Sequence, residues 1–149
     1  MRERTPFGSL TRSELMSRIR SRRNRTTEEA MARLLREARL SGWRRHLPVE
    51  GRPDFAWTKR LVALFVHGCF WHGHGCGRDL MPRTNTVMWR QKIESNRARD
   101  RRVRAVLRRQ GWAVLQVWEC QLRRSPGRQL RRIARALGAA EARPDQRRL

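Results

Sequence analysis

Phe65-Val66-His67-Gly68-Cys69-Phe70-Trp71-His72-Gly73-His74-Gly75-Cys76 is the stretch around which this chain is organised. It continues an apolar run, Leu61 to Leu64. It holds three of the four histidines and two of the three cysteines. The run 61–66 is short, apolar and rich in β-branched residues, which predicts a buried central strand. The His/Cys stretch is then the loop at the C-terminal end of that strand. Imidazole and thiolate crowded into one loop point to a metal.

Working outward, Asp54-Phe55-Ala56-Trp57 reads as a second strand, with Thr58-Lys59-Arg60 as the turn between them. The pair forms a hairpin whose register sets Asp54 beside the end of the neighbouring strand. Gly51-Arg52-Pro53 is a turn ahead of it. Upstream, Thr26-Thr27-Glu28-Glu29 reads as a helix start, a capping hydroxyl followed by acids. Met31, Leu34, Leu35 and Ala38 form its apolar face, and Gly42 ends it. Downstream, a long helix fits from Thr86 to about 110, closed by Gly111. Ala113 to Trp118 is a further apolar strand, followed at once by Cys120. Leu130, Ile133, Ala134 and Leu137 mark a last amphipathic helix, with a frayed end from Gly138. This order predicts an α/β fold, a mixed sheet flanked by helices. The expected organisation is a basic N-terminal arm over 1–25, a catalytic domain over 26–137 and a flexible tail over 138–149.

Charge narrows the partners. Lys plus Arg total 36 against 13 Asp plus Glu, a formal net charge of +23, and Lys59 and Lys92 are the only lysines. A genome bias explains arginine over lysine but not the excess itself. Arginine forks match phosphate oxygens and base edges, so nucleic acid is the expected partner. Arg12 and Arg18, on a short helical stretch of the basic arm, are candidate DNA contacts. No apolar run approaches the roughly 20 residues of a membrane span, and no signal-type segment opens the chain. A cytoplasmic, reduced protein is expected, and an odd cysteine count argues against a disulfide framework.

Four residues form one metal set. Cys69, His74, Cys76 and Cys120 supply three thiolates and one imidazole, a donor set for tetrahedral Zn²⁺ with every position filled by protein. Such a zinc is structural. It leaves His67 and His72 without a task. A neutral histidine can take a proton from an attacking water, and Asp100, on the long helix, can fix the tautomer of one of them. Asp54 after Pro53 is similar to the metal-binding corner of restriction-type nucleases. A Mg²⁺ there needs oxygen donors, and the main-chain carbonyl of Val66 is a candidate beside the Asp54 carboxylate. Phe70 and Trp71 on the loop, with Trp89 at the start of the long helix, form a candidate wedge for a base step. A zinc-stabilised nucleic-acid-binding protein without catalysis accounts for the zinc, arginines and aromatics, but not for Asp54, His67 and His72.

The combination Gly51-Arg52-Pro53-Asp54-Phe55, then Phe65 to Cys76, then Val117-Trp118-Glu119-Cys120 resembles the very-short-patch (Vsr) mismatch repair endonucleases. Thr11-Arg12-Ser13, Met16, Ile19, Glu28, Lys92-Ile93 and Arg99-Asp100-Arg101-Arg102 fit the same pattern. The likeness covers roughly residues 11–122. It implies a restriction-endonuclease-like fold and Mg²⁺-dependent nicking of double-stranded DNA. The cut falls 5′ of the mismatched T in T:G pairs left by 5-methylcytosine deamination. It implies Asp54 as the Mg²⁺ ligand, His72 as the base that activates water with Asp100 as its partner, and His67 as the second active-site histidine. Glu28 joins this catalytic group. It implies Phe70, Trp71 and Trp89 as intercalating residues, mismatch-repair proteins as possible partners, and a place on the nucleoid. Another nuclease target stays open. Val66 stands where the best-known form has Thr, and Gly73 and Gly75 replace bulkier residues, from which a looser loop is expected.

Overall fold

A computed structural model describes residues 12–76 and 83–141, with side chains from residue 25 onward. The side chains of Arg12 and Arg18 therefore lie outside the described residues, as does the tail beyond 141. Helix α1 (Arg12–Glu37) leads into the short strand β1 (Arg44–Arg45). Strands β2 (Phe55–Trp57) and β3 (Val62–His67) follow, then the long helix α2 (Thr86–Arg109). Strand β4 (Ala113–Trp118) runs directly into the short helix α3 (Glu119–Arg124), and α4 (Pro126–Glu141) ends the described chain.

The sheet has the order β1-β2-β3-β4. β1, β2 and β3 are antiparallel to their neighbours, and β3 runs parallel to β4, with His67 opposite Trp118. The mixed sheet and its flanking helices are those expected. β3 is buried at every residue, which explains why it reads as an unbroken apolar run. Its side chains alternate between two cores. Val62, Leu64 and Val66 pack with Met31 and Leu35 of α1, Phe55, Val117, and Ile133 and Leu137 of α4. Ala63 and Phe65 pack with Val103 and Leu107 of α2. His67 continues the second parity, so its ring is directed to the α2 side. Each fully buried side chain of this kind contributes about 1.5–3 kcal/mol. No helix among the described residues is long and apolar enough to cross a membrane.

Three local expectations are corrected. Thr26 does not start a helix: α1 runs unbroken from Arg12 to Glu37. The segment contains no Pro or Gly, so nothing stops helix propagation upstream of the threonines. Gly138 does not fray α4, which continues to Glu141. Ile133 and Leu137 dock its last turns onto the core, which offsets the cost of one glycine. The polar pair Arg44-Arg45, assigned to no strand from the sequence, forms β1.

The turn before β2 is held by a close backbone approach. Gly51 has φ +72, and a β-carbon there would lie 2.2 Å from Cγ1 of the buried Val103. Gly51→Ala combines a left-handed backbone strain with a clash against a filled core. We expect a stability loss of about 2–4 kcal/mol by urea unfolding, whereas Gly75→Ala, which meets no atom within 4 Å, should lose less.

Candidate active site

Asp54 sits at the entry to β2 and Val66 near the end of β3. The antiparallel register brings them together, and the Val66 amide donates to Asp54 Oδ2 at 2.7 Å. The contact formed is with the amide of Val66, whereas the sequence suggested its carbonyl as a metal ligand. Burial pushes the Asp54 carboxyl up to about 7; the Val66 hydrogen bond opposes this shift, and the neighbouring Glu28 adds to it. Glu28 comes from α1. Its Oε2 accepts from Arg45 Nη2 at 2.8 Å and lies 3.3 Å from His46 Nε2. Glu28, His46 and Asp54 each offer one donor atom, all within 4.8 Å of one another, so this corner could hold a cation.

One residue along β3, His67 is buried, 7% exposed. Its ring centroid lies 4.0 Å from that of His72. Burial, then the neighbouring His72, hold His67 down at about 3, so it is a neutral imidazole at working pH. His72 Nδ1 lies 2.5 Å from Asp100 Oδ2 on α2. Burial works to raise Asp100, but the hydrogen bond and charge of His72 outweigh it and hold the carboxyl below its ordinary value. Asp100 thus takes Nδ1–H and leaves Nε2 of His72 as the basic nitrogen. His72 and Asp100 open onto a cleft of about 280 Å³ that Arg97, Arg101 and Arg104 also line. The cleft suits a phosphodiester.

The loop after β3 is held from two sides. Cys69, His74 and Cys76 meet Cys120 of α3, and their four donor atoms lie within 4.8 Å of one another. Burial pushes the Cys69 thiol up to about 12. A buried thiol crowded by other sulfurs is a poor thiolate until a cation sits among them. Three sulfurs and one nitrogen are the donors a structural zinc takes. His74 also stacks on Trp118 at 4.1 Å, with 10° between the rings. On the other side, Asn96 of α2 donates to the Trp71 carbonyl at 2.8 Å. Gly73, with φ +60, lets the loop approach α2: a β-carbon there would lie 2.7 Å from Cγ2 of Ile93. Gly73 therefore tightens the loop where a looser one was expected.

Phe70, Trp71 and Trp89 form one ring cluster, with centroid separations of 5.0, 5.6 and 5.7 Å. Trp71 is its buried member, 7% exposed, while Phe70 and Trp89 are partly exposed. An intercalating Trp71 and an active-site His67 imply side chains open to DNA. In the chain alone Trp71 is covered by the other two rings and His67 by the loop it precedes. His46, Arg45 and Asn96 were not singled out from sequence. No sequence signal marks His46: it is placed near Asp54 by the β1–β2 pairing, which is visible only in the structure.

An acid corner and a histidine–carboxylate couple, set at one end of a mixed sheet in a strongly basic chain, define the class: a nuclease. Known sequences agree. Residues 6–78 match the family model "DNA mismatch endonuclease Vsr". The chain is 45% identical over 113 residues to the type II nicking enzyme V.XorIIP of Xanthomonas oryzae pv. oryzae, covering 74% of this chain and 81% of that one. It is 42% identical over 113 residues to the DNA mismatch endonuclease Vsr of Escherichia coli, covering 76% and 72%. It is also 45% identical over 74 residues to the type II nicking enzyme V.NaeI of Lentzea aerocolonigenes, covering 48% and 42%. The chain belongs to the Vsr family of DNA mismatch endonucleases.

Asp54 has a measurable consequence for stability. Its folded value, about 7 against an ordinary 3.8, means the folded state binds the proton more tightly than the unfolded one. The contribution is complete below the unfolded value and is lost as pH rises through about 7. Without added divalent cation, the wild type should therefore lose stability between pH 4 and pH 7.5 relative to Asp54→Asn, by on the order of 2–4 kcal/mol. Parallel urea midpoints across that range would discount the shift.

Proposed function

We propose that this endonuclease nicks one strand of duplex DNA on the 5′ side of the mismatched T in T:G pairs, with Mg²⁺ at Asp54. The observation that carries the reading is the meeting of two sets of groups at the end of one strand. Asp54 accepts from Val66, and the ring of the next residue, His67, packs against that of His72 with 4.0 Å between centroids. A metal-holding carboxylate and a base oriented by a carboxylate are what phosphodiester hydrolysis needs.

In this mechanism a water beside the scissile phosphate gives its proton to Nε2 of His72 as its oxygen attacks phosphorus. The bond to the opposite oxygen breaks. Asp100 holds the Nδ1 proton and stabilises the imidazolium that forms. Neutral His67 donates its N–H to a non-bridging phosphate oxygen. Mg²⁺ bound by the Asp54 carboxylate and the Val66 carbonyl would supply charge neutralisation at the phosphate and the leaving oxygen. Zn²⁺ among Cys69, His74, Cys76 and Cys120 would lock the loop that carries His72, and takes no part in the chemistry.

Mismatch preference rests on the ring cluster. A wedge of Phe70, Trp71 and Trp89 entering a base step costs a few kcal/mol of unstacking, least where the pair is already weak. Arg12 and Arg18 would add backbone contacts. The reaction would take place on chromosomal DNA in the cytoplasm, alongside mismatch-repair proteins.

Duplexes carrying T:G, T:A or C:G at one position, each strand labelled, test this reading. With Mg²⁺ we expect cleavage of the T strand alone, mapped 5′ of the T, in the T:G duplex only. Equal nicking of all three would sink mismatch direction. His72→Ala should slow single-turnover nicking by about 10²–10⁴-fold and Asp100→Asn by about 10–100-fold. Metal analysis should find a single zinc per chain. Cys120→Ser should lose it, and retention of zinc by that variant would remove Cys120 from the set.

A further inference from the structure

His46 is the one histidine outside the loop that organises the chain. The fold nevertheless delivers it to the active site. Arg44 pairs with Ala56 and Arg45 with Phe55, so the ladder ends one residue short of both His46 and Asp54 and leaves them side by side at its end. At His46 the backbone turns left-handed, with φ +50. The ring then reaches Glu28, with Nε2 3.3 Å from Oε2. Donor atoms of Glu28, His46 and Asp54 lie within 4.8 Å of one another, on α1, the end of β1 and the start of β2. Arg45 grips both Glu28 and Glu29, at 2.8 and 2.9 Å, which fixes the Glu28 carboxylate toward the corner.

We propose that His46 supplies an imidazole ligand to the divalent cation held at Asp54, with Glu28 as the third donor, and that this site favours transition ions such as Mn²⁺ over Mg²⁺. The inference rests on the reading of Asp54 as a metal ligand. Its physical basis is donor chemistry. Mg²⁺ takes oxygen ligands and sheds water reluctantly. Adding an imidazole to two carboxylates raises affinity along the first-row series, for Mn²⁺ and its successors, with little gain for Mg²⁺. A bland alternative is that His46 and Glu28 form only a surface ion pair, since the His46 side chain is 47% exposed. That pair would leave metal choice untouched.

The test uses the zinc-loaded full chain without DNA. Mn²⁺ binding is followed by electron paramagnetic resonance, Mg²⁺ by competition, and directly bound imidazole by ¹⁴N modulation of the Mn²⁺ spin echo. His46→Asn keeps a residue that tolerates the left-handed backbone and exchanges the nitrogen donor for oxygen. We expect ¹⁴N modulation in the wild type, its loss in His46→Asn, and a fall of about tenfold in the Mn²⁺-over-Mg²⁺ preference with an unchanged unfolding midpoint. Asp54→Asn should lose Mn²⁺ binding altogether. If Asp54→Asn loses the ion but His46→Asn keeps both the modulation and the preference, the His46 assignment is overturned while Asp54 stands; the nitrogen then belongs to His67 or His72. If Asp54→Asn binds Mn²⁺ as the wild type does, the reading of Asp54 itself fails.

Discussion

A partly buried carboxylate held by a strand amide is the contact on which the site depends. The bond from Val66 N to Asp54 Oδ2, 2.7 Å long, closes the gap between the entry to β2 and the exit of β3. It places a charge in a corner where burial disfavours charge, next to a second carboxylate on α1. Folding does not need a carboxyl there; an amide in the same shape would cost less. A cation at this corner would offset that cost.

Everything else at the site follows from where β3 ends. Because β3 and β4 are parallel, their C-terminal ends lie together, with His67 opposite Trp118. The loop leaving β3 and the helix leaving β4 therefore emerge side by side, and Cys120 meets Cys69, His74 and Cys76. Crevices at the carboxyl ends of strands are where α/β sheets place their ligands, for the same topological reason. The other side of the loop rests on α2, through Asn96 and the close approach at Gly73. A loop held at both sides sets His72 against Asp100.

The legibility of the sequence was uneven, and the causes are physical. β2, β3 and β4 were readable as short apolar runs, and α2 because Val103 and Leu107 recur at helical spacing. The first turns of α1 were readable only as a separate short helix, because arginines dominate the segment that joins them to the core-facing turns. Thr26-Thr27-Glu28-Glu29 mimics a cap because capping and mid-helix residues share the same chemistry. β1 is two arginines whose strand state comes wholly from pairing with β2. Among the site residues, Asp54, Glu28, His67, His72 and Asp100 were named from sequence and the resemblance, and the fold gathers them at one end of the sheet. His46 was passed over because a lone histidine carries no spacing signal.

Taken alone, the sequence determined the donor chemistry: which side chains can ligate, take a proton, or stack. Side-chain type is a property of the chain itself, and the crowding of histidine and cysteine after one apolar run marks the loop. It also determined a central strand buried on both faces. Only the tertiary structure decided which donors lie together. The β1–β2 ladder ends one residue short of His46 and Asp54, and α1 crosses to bring Glu28 to both. It also decided that Trp71 and His67 are covered rather than displayed. Those outcomes depend on contacts between residues distant along the chain, and no local periodicity encodes a contact that forms only when strands and helices pack.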